Sequence, residues 1–65
     1  MAMKFREIIQ IIEDDGWYQV RQRGSHRQFK HDTKAGLVTV AYHSLKDPVP
    51  PFTLSSIYKQ AQIDR

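Results

Sequence analysis

The stretch GSHRQFKH, Gly24 to His31, holds the side chains best suited to chemistry in this 65-residue chain. His26 follows Gly-Ser directly, and Arg21, Arg23, Arg27, Lys30 and Lys34 fall around it. An imidazole, with an ordinary pKa of about 6.5, can take or give a proton near neutral pH. Gly24 permits a left-handed backbone and close approach of a ligand to the chain. Ser25 can cap a turn or donate a hydrogen bond to a phosphate oxygen. Arg21, Arg23, Arg27 and Lys30 can bind phosphate, and the arginines can stabilise charge that develops on it. Together these groups suit the binding of a phosphate and proton transfer beside it.

Each residue also has a plain structural reading: hairpin glycine, turn serine, solvated charge, inert surface histidine. Other constellations fit less well. His26, His31 and His43 lack cysteine partners and the i, i+4 spacing of a helical zinc site. A Ser25-His26-Asp32 triad fails because adjacent residues on a strand point to opposite faces. His31 reads as a strand-end structural histidine, and His43 begins a loop from which it could approach the site as a second proton-transfer group. Trp17, Tyr18 and Phe29 read as packing residues, although an exposed ring among them could stack a nucleotide.

The elements that must position these residues follow from periodicity. Between Lys4 and Asp15, Phe5, Ile8, Ile9 and Ile12 form the apolar stripe of an amphipathic helix, with Gly16 placed to end it. Glu13, Asp14 and Asp15 sit at the unfavourable end of its dipole and read as a solvated helix end. Trp17 to Arg23 reads as a strand, Gly24-Ser25 as a turn, and His26 to His31 as an alternating strand. That alternation puts His26, Gln28 and Lys30 on an open face, and Arg27, Phe29 and His31 on the core side. Asp32 to Gly36 is turn chemistry and Leu37 to Ala41 a third strand. Tyr42 to Phe52 holds all three prolines and reads as an irregular connection. Thr53 is a candidate N-cap for a last helix carrying Leu54, Ile57, Tyr58 and Ala61. The result is a single α+β domain over residues 1–65, in the order α-β-β-β-α. Its three-stranded antiparallel sheet has both helices on one face, the architecture of double-stranded-RNA-binding domains.

Composition bounds the rest. Ten Lys and Arg against seven Asp and Glu give a formal charge of +3 and a pI near 9.5, which favours a polyanionic partner. There is no cysteine, and no apolar run approaches the ~18 to 20 residues of a membrane span. A soluble, unprocessed, cytoplasmic protein with no membrane partner is expected. No cofactor or metal is expected either. Direct DNA binding is not expected, since nothing resembles a helix-turn-helix and the basic residues lie on strands and turns.

In order along the chain come an amphipathic helix, Gly16-Trp17, Arg21, GSHRQFKH, GLVTVAYH and a helix opening FTLSSIYKQAQI. From about Phe5 to Ile63 this closely resembles the HicA family of mRNA interferase toxins. The resemblance implies the toxin of a type II toxin-antitoxin pair, with metal-independent cleavage of mRNA and a HicB-like antitoxin that covers the active surface. The family's essential histidine maps onto His26, and its glycine and serine onto Gly24 and Ser25. Two departures stand out: Val40-Ala41-Tyr42-His43 where Val-Pro followed by histidine is expected, and Pro-Pro-Phe before Thr53 where glycine is usual. His26 is thus expected to be catalytic, with Gly24, Ser25, Arg21, Arg23, Arg27 and Lys30 binding RNA. The alternative is a non-catalytic RNA-binding or partner-binding module of the same fold, indifferent to His26.

Overall fold

Phe5, Ile8 and Ile12 share one helical face. In the computed structural model, which describes residues 2–64, all three are buried in helix α1, Phe5–Asp14. The Glu7 carboxylate accepts the Lys4 N–H at 2.9 Å, while the Phe5 and Arg6 N–H groups donate to the carbonyls of Asp47 and Leu45, both at 3.0 Å. At the other end Gly16, with φ +109°, carries the Gly16 N–H to Glu13 and the Trp17 N–H to Ile12, the paired bonds of a Schellman motif.

Strands β1 (Tyr18–Arg23), β2 (His26–Lys30) and β3 (Val38–Ala41) form an antiparallel sheet in the order β1-β2-β3, and helix α2 spans Pro51–Gln60. Phe29 pairs with Val38, and both are buried with Val40 on one sheet face. Ile8 and Ile12 of α1 join Ile57 of α2 and Ala61 in the same core, so both helices cover that face, as expected. Trp17 closes the end of the core, its indole N–H donating to the Ala61 carbonyl at 3.2 Å. The outer edge of β3 is partly sealed by α2: the Thr39 N–H donates to Gln60 Oε1 at 2.9 Å. β1 is the other edge.

One irregularity decides where the site is built. β1 has six residues against five in β2, and the surplus is taken up by a bulge between Gln19 and Arg21. Gln19 pairs with Phe29, on the core side, and Arg21 pairs with Gln28, on the open side, leaving Val20 as the extra residue. Strict alternation from Gln19 would send Arg21 and Arg23 toward the core side; the bulge turns both to the open face.

One expectation needs correcting and two gain detail. Helix α2 begins at Pro51, not after Thr53: Pro50 is its N-cap residue and Pro51 occupies the first turn, where a missing N–H costs nothing and a fixed φ helps. The proline-containing connection also contributes to the core. Its Val49 is buried, the Val49 N–H donates to the Met3 carbonyl at 2.8 Å, and Pro48 bridges Lys4. The acidic end of α1 is exposed at Glu13, Asp14 and Asp15, as expected, and Asp15 is also paired. Lys34 Nζ donates to Asp15 Oδ2 at 2.6 Å and to the carbonyls of Ala61 and Gln62 at 3.2 and 3.1 Å, joining the C-terminal ends of both helices. That hydrogen bond from Lys34 holds the Asp15 carboxyl below its ordinary value of 3.8.

Candidate active site

The Gly24-Ser25 turn joins the paired residues Arg23 and His26 with two residues. Gly24 has φ +60° and Ser25 is not among the residues with positive φ, the sign pattern of a type II′ hairpin turn, which places glycine first. A Cβ at Gly24 would meet nothing within 4 Å, so conformation rather than crowding demands the glycine, and the space beside it is open. The Ser25 carbonyl accepts from the Tyr42 N–H at 3.1 Å, which fastens the turn to the end of β3.

His26 leaves this turn exposed on the open face, opposite Ala41. It lines a groove of about 380 Å³ with Arg21, Arg23, Gln28 and Thr39. Among the described residues, the side chains of His26, Arg21, Arg23 and Lys30 make no hydrogen bond or ion pair, so imidazole and guanidinium groups alike are available to a ligand. Lys30 shares the face but lies four residues along β2, roughly 13 Å from His26. It can meet a longer ligand but does not line the groove.

Arg27 is not brought to this groove. Its guanidinium lies over the Tyr42 ring, 3.7 Å from Cζ to centroid, and Nη1 donates to the carbonyls of Ser25 at 3.0 Å and Tyr42 at 2.8 Å. Tyr42 in turn stacks on Phe5, with centroids 5.3 Å apart. This column ties β2, the end of β3 and the start of α1 together. Lys34, the other cation of the central cluster, is held by Asp15.

His31 is structural, as its place at the strand end suggested. Nδ1 accepts the Thr33 and Lys34 N–H groups at 3.1 and 3.2 Å, which assigns the proton to Nε2; that nitrogen donates to the Asp15 carbonyl at 2.6 Å. The ring sits so close to Gly16 that a Cβ there would lie 2.6 Å from Nε2. His43 is exposed past the end of β3 and lines neither groove that contains His26. Tyr18, also on the open face, donates to Asp32 Oδ1 at 3.2 Å, and that bond raises its phenol pKa. No group of three or more His, Cys, Asp or Glu side chains among the described residues could hold a metal ion. No helix among them is long and apolar enough to cross a membrane.

Sequence reasoning put Gln28 on the face of His26 but gave it no role. It missed Thr39 and a second groove of about 380 Å³, where His26 and Ala41 face Phe52, Thr53 and Ser56 of α2. Alternation along β3 could have found Thr39. For Phe52 the one signal is the Pro-Pro-Phe departure before Thr53, which by itself assigns no role.

A family model described as the HicA toxin of bacterial toxin-antitoxin systems matches residues 5–63. The chain belongs to the HicA toxin family. No curated protein matches it significantly. Membership makes it the toxin of a toxin-antitoxin pair, with an antitoxin as the implied partner. The matched span runs from the first residue of α1 to the residue after the left-handed Gln62 that ends α2, and so contains the whole sheet and both grooves. The two departures from the HicA pattern both border the site. Ala41 is the cross-strand partner of His26, Tyr42 carries the Arg27 guanidinium, and Phe52 stands at the mouth of the second groove.

Proposed function

We propose that this HicA toxin is an endoribonuclease that cleaves mRNA by metal-independent transesterification, with His26 as the essential proton-transfer residue. The observation that supports it best is the unpartnered His26 imidazole in one groove with two unpartnered arginines. His26 takes the proton of the 2′-hydroxyl, whose oxygen attacks the adjacent phosphorus; the P–O5′ bond breaks and the leaving oxygen takes a proton from water. The same residue can act in the opposite sense, as the acid toward the 5′-oxygen. Arg21 and Arg23 bind the non-bridging oxygens and stabilise the charge that grows on them. Gly24 leaves room for the backbone of the RNA, Ser25 can donate a hydrogen bond to a phosphate oxygen, and Lys30 meets a phosphate farther along the strand. The products carry a 2′,3′-cyclic phosphate and a 5′-hydroxyl.

A HicB-like antitoxin inhibits by covering His26 and the arginines together, since one surface carries both RNA binding and chemistry. Toxin and antitoxin meet in the cytoplasm, where mRNA is translated. The test is induction of the parent and His26→Ala side by side, with RNA integrity and fragment ends read out, and cleavage repeated in the presence of a chelator. Loss of a general acid-base group should slow cleavage roughly 100- to 10,000-fold. Fragments ending in 5′-phosphate, or activity abolished by chelation, would refute the transesterification step. Equal growth arrest by both proteins would instead favour a binding module.

A further inference from the structure

Among the described residues, the most exposed large apolar side chain is Phe52, at 92%. Nothing in the fold requires it. Pro50 and Pro51 set the start of α2, and the helix reaches the core through Ile57, with Leu54 and Tyr58 packed against it and Ala61 buried just beyond. A phenyl ring left in water at the second helical position, beside the candidate catalytic histidine, suggests an absent contact.

The groove it borders has a different character from the first. Apart from His26, its lining is neutral: Thr39, Ala41, Phe52, Thr53, Ser56 and Gln60 surround the buried Ile57. Gln60 is already engaged, accepting the Thr39 N–H and donating to Ser56 Oγ at 3.1 Å. Such a wall offers no positive charge to a phosphate but suits the flat face of a base. His26 and Thr39 belong to both grooves, so a ligand passing over His26 leaves the arginine side and enters the aromatic side. A cationic track followed by an aromatic platform is how single-stranded nucleic acid is bound without sequence preference.

We infer that Phe52 is a stacking platform for an unpaired base next to the scissile phosphate, and that the substrate is therefore single-stranded at the point of cleavage. The assignment rests on the ribonuclease reading above. Binding is measured with short single-stranded RNAs in which 2-aminopurine is walked along the sequence, using His26→Ala as the uncleaving parent. One position should be quenched on binding. Adding Phe52→Ala should abolish that quench and weaken binding on the order of 10- to 100-fold. Phe52→Trp should restore the affinity. The loss should be independent of salt, whereas Arg21→Ala should lower the salt slope by about one. An abasic ribose at the quenched position should remove the difference between parent and Phe52→Ala.

Unchanged affinity and quenching in Phe52→Ala overturn the inference while leaving the ribonuclease reading intact. Normal RNA binding with weakened binding of the antitoxin makes Phe52 a protein anchor and also overturns it. If the wild-type chain neither binds nor cleaves single-stranded RNA, both readings fall together.

Discussion

Replacing Arg27 with alanine separates a clamp from a phosphate ligand. The guanidinium makes two charge-assisted hydrogen bonds, to the Ser25 and Tyr42 carbonyls, and lies 3.7 Å above the Tyr42 ring. Bonds of that kind contribute about 1.5 kcal/mol each at the low end, and a cation-π contact at a partly exposed site about 0.5 to 1 kcal/mol. One half-buried group makes all three, so they do not add fully, and about 2 to 3 kcal/mol is expected for Arg27→Ala. A domain this small has roughly 3 to 10 kcal/mol in total, and each kcal/mol lowers Tm by about 4 to 8 °C. Arg27→Ala should thus melt about 10 to 20 °C below the parent, followed by circular dichroism. Arg21→Ala and Arg23→Ala, whose side chains touch no partner, should stay within about 0.5 kcal/mol of the parent and lose RNA affinity instead. An Arg27→Ala protein that melts with the parent yet loses RNA binding as Arg21→Ala does would refute the clamp.

Acid unfolding should report the Asp15-Lys34 pair. The folded pKa of Asp15 lies below its ordinary value of 3.8, chiefly through the hydrogen bond from Lys34. The folded state therefore binds that proton less readily than the unfolded chain. The contribution is complete above about pH 5 and disappears as pH falls through the folded value. Asp15→Asn should be less stable than the parent at neutral pH and converge with it in strong acid, as read from urea midpoints against pH; a gap that persists at the acid end contradicts the assignment. Deletion of Val20 should be tolerated. Losing a strand residue normally turns everything beyond it to the other face. Here the deletion removes the surplus residue, keeps Gln19 opposite Phe29 and Arg21 opposite Gln28, and should leave a folded protein that still cleaves RNA; an unfolded or inactive product shows that the bulge geometry itself is needed.

Much of the fold could be read directly. Phe5, Ile8 and Ile12 are buried because a 3.6-residue period leaves them one apolar face, and Phe29, Val38 and Val40 because a two-residue period does the same for a strand. The start of α2 could not. Proline both breaks helices and begins them, and Thr53 offered a competing cap signal three residues inside the true N-cap. Arg27 looked like a phosphate ligand and Lys34 like part of the same basic patch because charge along a chain says nothing about partners. Their partners, Tyr42 and Asp15, lie 15 and 19 residues away.

By itself the sequence determined the order of elements, the apolar face of each, the glycine turn that presents His26, and membership of the HicA family. These are local properties, fixed by periodicity, turn chemistry and motif spacing. Only the tertiary structure decided which cations remain free, which histidine is committed to the backbone, and which side of the sheet Arg21 and Arg23 face. Trp17, anchored to Ala61, fixes one end of β1 and the Gly24-Ser25 turn fixes the other, with one residue too many between them. The surplus has to bulge, and that long-range constraint carries the arginines to the histidine.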